Sequence, residues 1–379
     1  MKLVPTDDQR DLSAMLRTVL AKECPTSLVR ELKRPESDGV PRGLWDALNT
    51  AGVFGLAVDE RFGGAGAGLA ELGVFFAEAG RALCPPIVYS TLVFGIGIDR
   101  LGTPDQRERY LTALAAGELR ASIVAWNPSD AGDLRPVAAA RRAAGGWTLS
   151  GTLPFVPYAD VADVVLVTAR VTEPAAPDRV LGFLVDPSVA GWDAEPLTTM
   201  AGDKQSRVTV DGAFVPDDAV LDGPNGHGLC SDELAAVAHA ALALQCREMA
   251  GGAATVLERT VSYIGARHQF GRPIGSFQAA QHLVADMHIA IEGARLAAEA
   301  AAWWLGRGER AARQVATAKM ACSQAYTHAT LTAHQLHGGM GYVRESDLHL
   351  WSERAKVTDV QYGTADVAAR WLQQEVGLV

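Results

Sequence analysis

Cysteine is scarce in this chain of 379 residues: there are five, at positions 24, 84, 230, 246 and 322, with no C-x-x-C pair. That spacing excludes a disulfide framework and a thiolate zinc site, and it implies reduced thiols and a cytoplasmic setting. Basic charge is in deficit, with 34 Lys and Arg against 44 Asp and Glu and a net charge of -10. Nucleic acid is therefore excluded as a partner, because binding its phosphates needs a basic surface. Long apolar runs are missing as well. The stretch Ala235–Cys246 contains His239 and is closed by Arg247 and Glu248, so no membrane span is expected. The opening MKLVPTDDQR lacks the apolar core of a signal peptide. There is neither a G-x-S-x-G elbow nor a Walker loop, which excludes the α/β-hydrolase and P-loop classes. His282 and His288 lie six apart, off the i, i+4 spacing of helical metal ligands, so no metal is expected.

What remains is an ordinary globular composition, 48% hydrophobic and 21% charged, in a chain long enough for two or three domains. Three blocks follow one another. Residues 1–121 form a helical domain, with Leu12, Met15, Leu16 and Val19 on one face and a second amphipathic stretch from Leu69 to Leu83. The Gly-rich run 61–68 between them has no strand before it and no Lys after it. It reads as a flexible helix connection rather than a nucleotide loop. Over 122–222 the apolar period changes to two. Short β-branched segments at 146–151, 163–169, 180–185 and 207–214 predict a small antiparallel barrel or sandwich, with Pro174 to Pro177 as a hairpin loop. Residues 223–379 return to Ala-rich helices near 231–266, 277–306, 309–336 and 353–378, a four-helix bundle. The fold class is α+β.

The most specific stretch joins two of those helices: Arg267-His-Gln-Phe-Gly-Arg-Pro-Ile-Gly-Ser-Phe-Gln278, with Ser276 placed to cap the following helix. Its order, Arg-x-Gln-Phe-Gly-x-Pro-Ile-x-x-Phe-Gln, resembles the flavin-pyrophosphate segment of the acyl-CoA dehydrogenase family. Gln335-Leu-His-Gly-Gly-Met-Gly-Tyr342 is similar to that family's Gln-x-x-Gly-Gly-x-Gly segment, which closes on flavin phosphates and ribose. The residue types suit a diphosphate. Arg267 offers a planar cation, Gln335 an amide donor, and Gly338 and Gly339 let backbone amides come close to the phosphate oxygens. The helical, β, helical order is also the family's. The resemblance implies FAD bound through Arg267, Gln269, Phe270, Gln278, Gln335, Gly338, Gly339 and Thr364. It also implies an acyl-CoA substrate, electron-transfer flavoprotein as acceptor, and an obligate oligomer in which these segments serve a neighbouring subunit.

The departures from the family are as informative as the matches. Abstraction of an α-proton needs a base, which most members carry as Glu in Tyr-Glu-Gly-Thr. Here the segment is Gln361-Tyr362-Gly363-Thr364, and the other family position for the Glu is Ala241. Phenols titrate near 10 and are poor bases at neutral pH. Beside the flavin ring the family's Thr-Glu-Pro and Trp-Ile-Thr become Trp126-Asn127-Pro128 and Phe155-Val156-Pro157, and its CoA-holding Asp and Arg become His239 and Leu242. The run Asp347–Lys356 resembles partner subunits of mixed actinobacterial enzymes. The expectation is a subunit with no catalytic base of its own, paired with a base-containing homologue as α2β2 or forming a homo-oligomer. Two other readings remain open: a repurposed flavin-dependent oxygenase or N-oxidising enzyme, and a non-catalytic acyl-CoA or protein-binding module.

Overall fold

Residues 4–172, 179–223 and 226–378 are described by the computed structural model. Helices come first: α1 (Asp7–Glu23), α2 (Thr26–Leu32), α3 (Arg42–Thr50), α4 (Leu69–Ala82), α5 (Pro86–Leu101) and α6 (Pro104–Ala115). Strands follow: β1 (Ala121–Val124), β2 (Ala138–Ala143), β3 (Gly146–Pro157), β4 (Val164–Val171), β5 (Val180–Val185), β6 (Trp192–Leu197), β7 (Gln205–Pro216) and β8 (Val220–Leu221). The chain then runs through α7 (Ser231–Ala266), the short strands β9 (His268–Gln269) and β10 (Arg272–Pro273), α8 (Gln278–Gly306), α9 (Ala312–His337), α10 (Leu348–Val360) and α11 (Ala365–Glu375). The described residues gather into two compact units. One comprises Met1–Ser27, Leu69–Cys84 and Leu242–Val379, and the other Leu28–Gly68 and Pro85–Ala241.

The first unit is helical. Local sequence starts α1, where Thr6 and Gln9 each bond the other's backbone N–H at 3.2 and 3.1 Å, a reciprocal cap. Its buried face runs through Leu16 and Leu20, while Met15 is 38% exposed and lies off it. The backbones of α4 and α7 touch: a Cβ on Gly80 would lie 1.9 Å from Glu248 O, and one on Gly251 1.9 Å from Ala77 O. That approach removes water from the polar groups nearby, so they are paired. Arg354 of α10 donates to Glu248 at 2.6 Å and to Cys84 O at 3.3 Å; Arg247 donates to Glu299 at 2.8 Å and to Gly73 O at 3.2 Å. Removing one partner of such a buried pair costs about 3–5 kcal/mol. The fourth helix expected over 353–378 is in fact two. Tyr362 and Gly363 take φ of 63° and 119° between α10 and α11, and Thr364 then caps α11 by accepting from Val367 N. A left-handed residue followed by a cap is a stop and a restart.

The second unit is built on a sheet in the order β6-β7-β3-β2-β4-β5-β8, with β1 also on β4. It is mixed, which corrects the expected antiparallel arrangement: β1 and β2 both run parallel to β4. Period-two patterning reports which face is buried and not which way a neighbour runs. The burial itself distinguishes the strands. β4 is buried almost without alternation, as expected of a strand covered on both faces, whereas β7 alternates along its length. Register shifts at Leu149/Ser150 and Leu153/Val156 break the β3–β7 ladder, and Pro154, with no N–H to donate, falls inside the second. The Gly-rich 61–68 connection is packed: Ala65, Gly66 and Ala67 donate their amides to Gly55, Val58 and Leu56 carbonyls, leaving none of the three for a phosphate. The hairpin loop expected at 174–177 lies outside the described residues. None of the described helices is long and apolar enough to cross a membrane.

Candidate functional site

Where α7 ends, the segment 267–278 forms a small hairpin rather than a plain turn. β9 and β10 pair antiparallel, Gln269 opposite Arg272, and Ile274 N closes the base on Arg267 O at 2.9 Å. Both loop residues have positive φ, 54° at Phe270 and 80° at Gly271, which is the geometry of a two-residue hairpin turn. Glycine does this freely. A side chain in that region costs about 1–2 kcal/mol, and Phe270 is moreover 93% exposed. A large aromatic ring is thus held exposed on a strained backbone, edge-on to Phe277 with centroids 6.2 Å apart. Ser276 does not cap α8: its hydroxyl donates to Pro273 O at 2.7 Å, and Phe277 precedes the helix without a side-chain cap.

The second motif lies opposite. α9 ends at His337, and Gly338 turns the chain with φ 56° and ψ -135°, a conformation open only to glycine. A Cβ at Gly338 or Gly339 would meet nothing within 4 Å, so this backbone faces open space. Tyr263 of α7 stacks on His337, centroids 4.2 Å apart at 17°, and ties the two motifs together. Burial lowers the His337 pKa, opposed by the hydrogen bond that its Nδ1 donates to Ala333 O at 2.8 Å.

Together the motifs line a groove of about 590 Å³ that includes Arg267, Gln269, Phe270, Gln335, Gly338 and Gly339. Among the described lining residues there is a guanidinium and no carboxylate, and Arg267 has no carboxylate partner among the described residues. An unneutralised planar cation, side-chain amides and accessible backbone suit a desolvated diphosphate. Gln278, exposed at the first residue of α8, and Thr364, occupied as the α11 cap, do not line this groove. Among the described residues no group of three or more His, Cys, Asp or Glu side chains could hold a metal.

The positions expected to lack a base are buried. Tyr362 is 8% exposed, in the turn before α11. Ala241 is 0% exposed on α7, and its carbonyl accepts from Tyr89 Oη at 2.8 Å. Pro157 ends β3, and Trp126 is buried. The reading of motifs missed Lys319, a lysine on the buried face of α9 that bonds Thr358 O and Gln361 O beneath the Tyr362 turn. Its signal was present in the sequence. Val315, Lys319, Cys322 and Tyr326 share one helical stripe, and the charge is the odd member.

The groove in the helical unit thus offers a guanidinium, side-chain amides and glycine backbone, a set whose chemistry suits a phosphorylated ligand. Comparison with known proteins makes this specific. Residues 6–118 match the acyl-CoA dehydrogenase N-terminal domain and residues 235–377 the C-terminal domain. Acyl-CoA dehydrogenase FadE12 of Mycobacterium tuberculosis is 30% identical over 317 residues, covering 80% of this chain and 79% of the relative. Among solved structures, the Tcur3481-Tcur3483 steroid ACAD is 29% identical with a TM-score of 0.87, covering 98% of each chain. The ChsE4-ChsE5 complex from Mycobacterium tuberculosis is 25% identical with a TM-score of 0.88, covering 100% of each chain. The chain belongs to the acyl-CoA dehydrogenase family of oxidoreductases, whose members bind FAD.

Proposed function

We propose that this chain is one subunit of a mixed acyl-CoA dehydrogenase, holding the diphosphate side of FAD for a neighbour while the base for the α-proton lies on a partner chain. The observation that carries this is an asymmetry. The groove set Arg267, Gln269, Phe270, Gln335, Gly338 and Gly339 is complete and open, while Tyr362 and Ala241 stand where a carboxylate is needed. Residues made for another chain's cofactor are kept; residues made for the chain's own chemistry are not. Two of the similar solved structures are named for pairs of chains, which supports a mixed assembly.

The groove fits the cofactor. Arg267 would take the diphosphate oxygens, the amides of Gln269 and Gln335 would donate beside it, and Phe270 would reach across the interface. Gln278 and Thr364 would serve from the flanks. Bound FAD supplies the acceptor for the hydride that leaves the β-carbon of the thioester. A base-containing homologue in an α2β2 assembly supplies the carboxylate, with electron-transfer flavoprotein as the onward acceptor. Co-expression with such a homologue tests the division of labour. An acyl-CoA substrate is expected to bleach the flavin absorbance of the complex, and replacing the partner's carboxylate by an amide to abolish bleaching. Bleaching that survives that replacement would place the base elsewhere and sink the proposal.

A further inference from the structure

Lys319 lies in the middle of α9 with its side chain fully out of solvent, 0% exposed. An ammonium has three N–H donors and no acceptor, and three oxygens take them. These are Gln245 Oε1 of α7 at 3.1 Å, Thr358 O of α10 at 2.5 Å and Gln361 O at 2.9 Å. The last two belong to the C-terminal end of α10, where a helix leaves carbonyls without partners and a cation is favoured. Gln245 ties the same place again, its Nε2 donating to Gln361 Oε1 at 2.9 Å. Immediately beyond, the backbone passes through the positive φ of Tyr362 and Gly363 to the cap at Thr364.

We propose that Lys319 is a positioning residue for the 361–364 turn: its three bonds fix the end of α10, and through it the placement of Tyr362 and Thr364. The inference stands on the helical unit alone, wherever the flavin and the base of the assembled enzyme lie. It also makes the turn sensitive to pH. Desolvation lowers the Lys319 amine from 10.5 to about 8, opposed by Cys246 of α7, Asp359 of α10 and Cys322 of α9. No ionisable group of α8 or α11, the other helices packed on α9, acts on it among the described residues. A neutral amine keeps two N–H groups for three oxygens, so one bond is lost as pH rises through about 8. Global stability moves the other way. The folded chain gives up this proton before the unfolded one, so its contribution to stability grows from about pH 8 toward 10.5.

Amide hydrogen exchange of the full chain, read by mass spectrometry and corrected for intrinsic base catalysis, separates the two effects. Protection of the 361–364 amides is expected to fall about tenfold between about pH 7 and about pH 9, while the interiors of α8 and α9 stay protected. In Lys319→Met the turn should already exchange at the fast rate at neutral pH, and its pH profile should be flat. Turn protection unchanged in Lys319→Met, or lost equally across all helices, would overturn the proposal. Should that variant fail to fold, the wild-type profile decides alone: constant turn protection over the same pH range refutes it.

Discussion

Purified without a partner and supplied with FAD and an artificial electron acceptor, the chain is expected to show no measurable acyl-CoA dehydrogenation. Loss of a general base alone removes about 10²–10⁴-fold in rate. Neither Ala241 nor the phenol of Tyr362 replaces it, since phenols titrate near 10. Restoring a carboxylate should not restore the enzyme. In Tyr362→Glu the new charge would occupy a site that is 8% exposed and shaped by a left-handed backbone, where desolvation disfavours the ionised form. Ala241 is fully buried, so Ala241→Glu would meet a larger desolvation cost still. Turnover by the isolated wild-type chain that Tyr362→Phe abolishes would make the phenol the base. Vigorous activity from Tyr362→Glu would show that the rest of the pocket is intact.

The second large effect is on the cofactor. Arg267→Ala in the assembled enzyme should weaken FAD binding by about 30-fold or more, since a charge-assisted hydrogen bond to a desolvated diphosphate contributes about 2 kcal/mol or more. Arg267→Lys should recover only part of this, because a point charge cannot match two oxygens with a planar fork. The turnover rate of whatever fraction retains flavin should be nearly unchanged, because in the proposed arrangement the guanidinium would meet the diphosphate and not the ring. Flavin content measured after dialysis gives the answer. Full retention in Arg267→Ala would remove the groove from the cofactor site.

Much of this was legible in the sequence because it is written locally. Gly271, Pro273 and Gly275 mark the break after α7 and Gly338 the end of α9; at Gly271 and Gly338 a positive φ leaves that compositional trace. All four strand segments picked out by alternation are strands. The parallel placement of β1 and β2 on β4 was not legible, since strand direction depends on how the loops run. Nor was the break at 361–364, where the first of two positive-φ residues is a tyrosine and only the second, Gly363, is a glycine. Lys319 was missed for a related reason. A lysine on a long helix is ordinarily solvated, and only the packed structure places it among Gln245, Thr358 and Gln361. The convergence of residues 267–270 with 335–339 in one groove likewise follows from tertiary packing, here the Tyr263–His337 stack.

The central claim, that this chain completes a flavin site it does not hold alone, is tested most directly by counting flavin. The visible absorbance and mass of the chain purified alone are compared with those of the complex co-purified with a base-containing homologue. FAD is expected only in the mixed complex, where binding to the assembled state would also raise its thermal stability. A fully flavinated homotetramer formed by this chain alone would contradict the account.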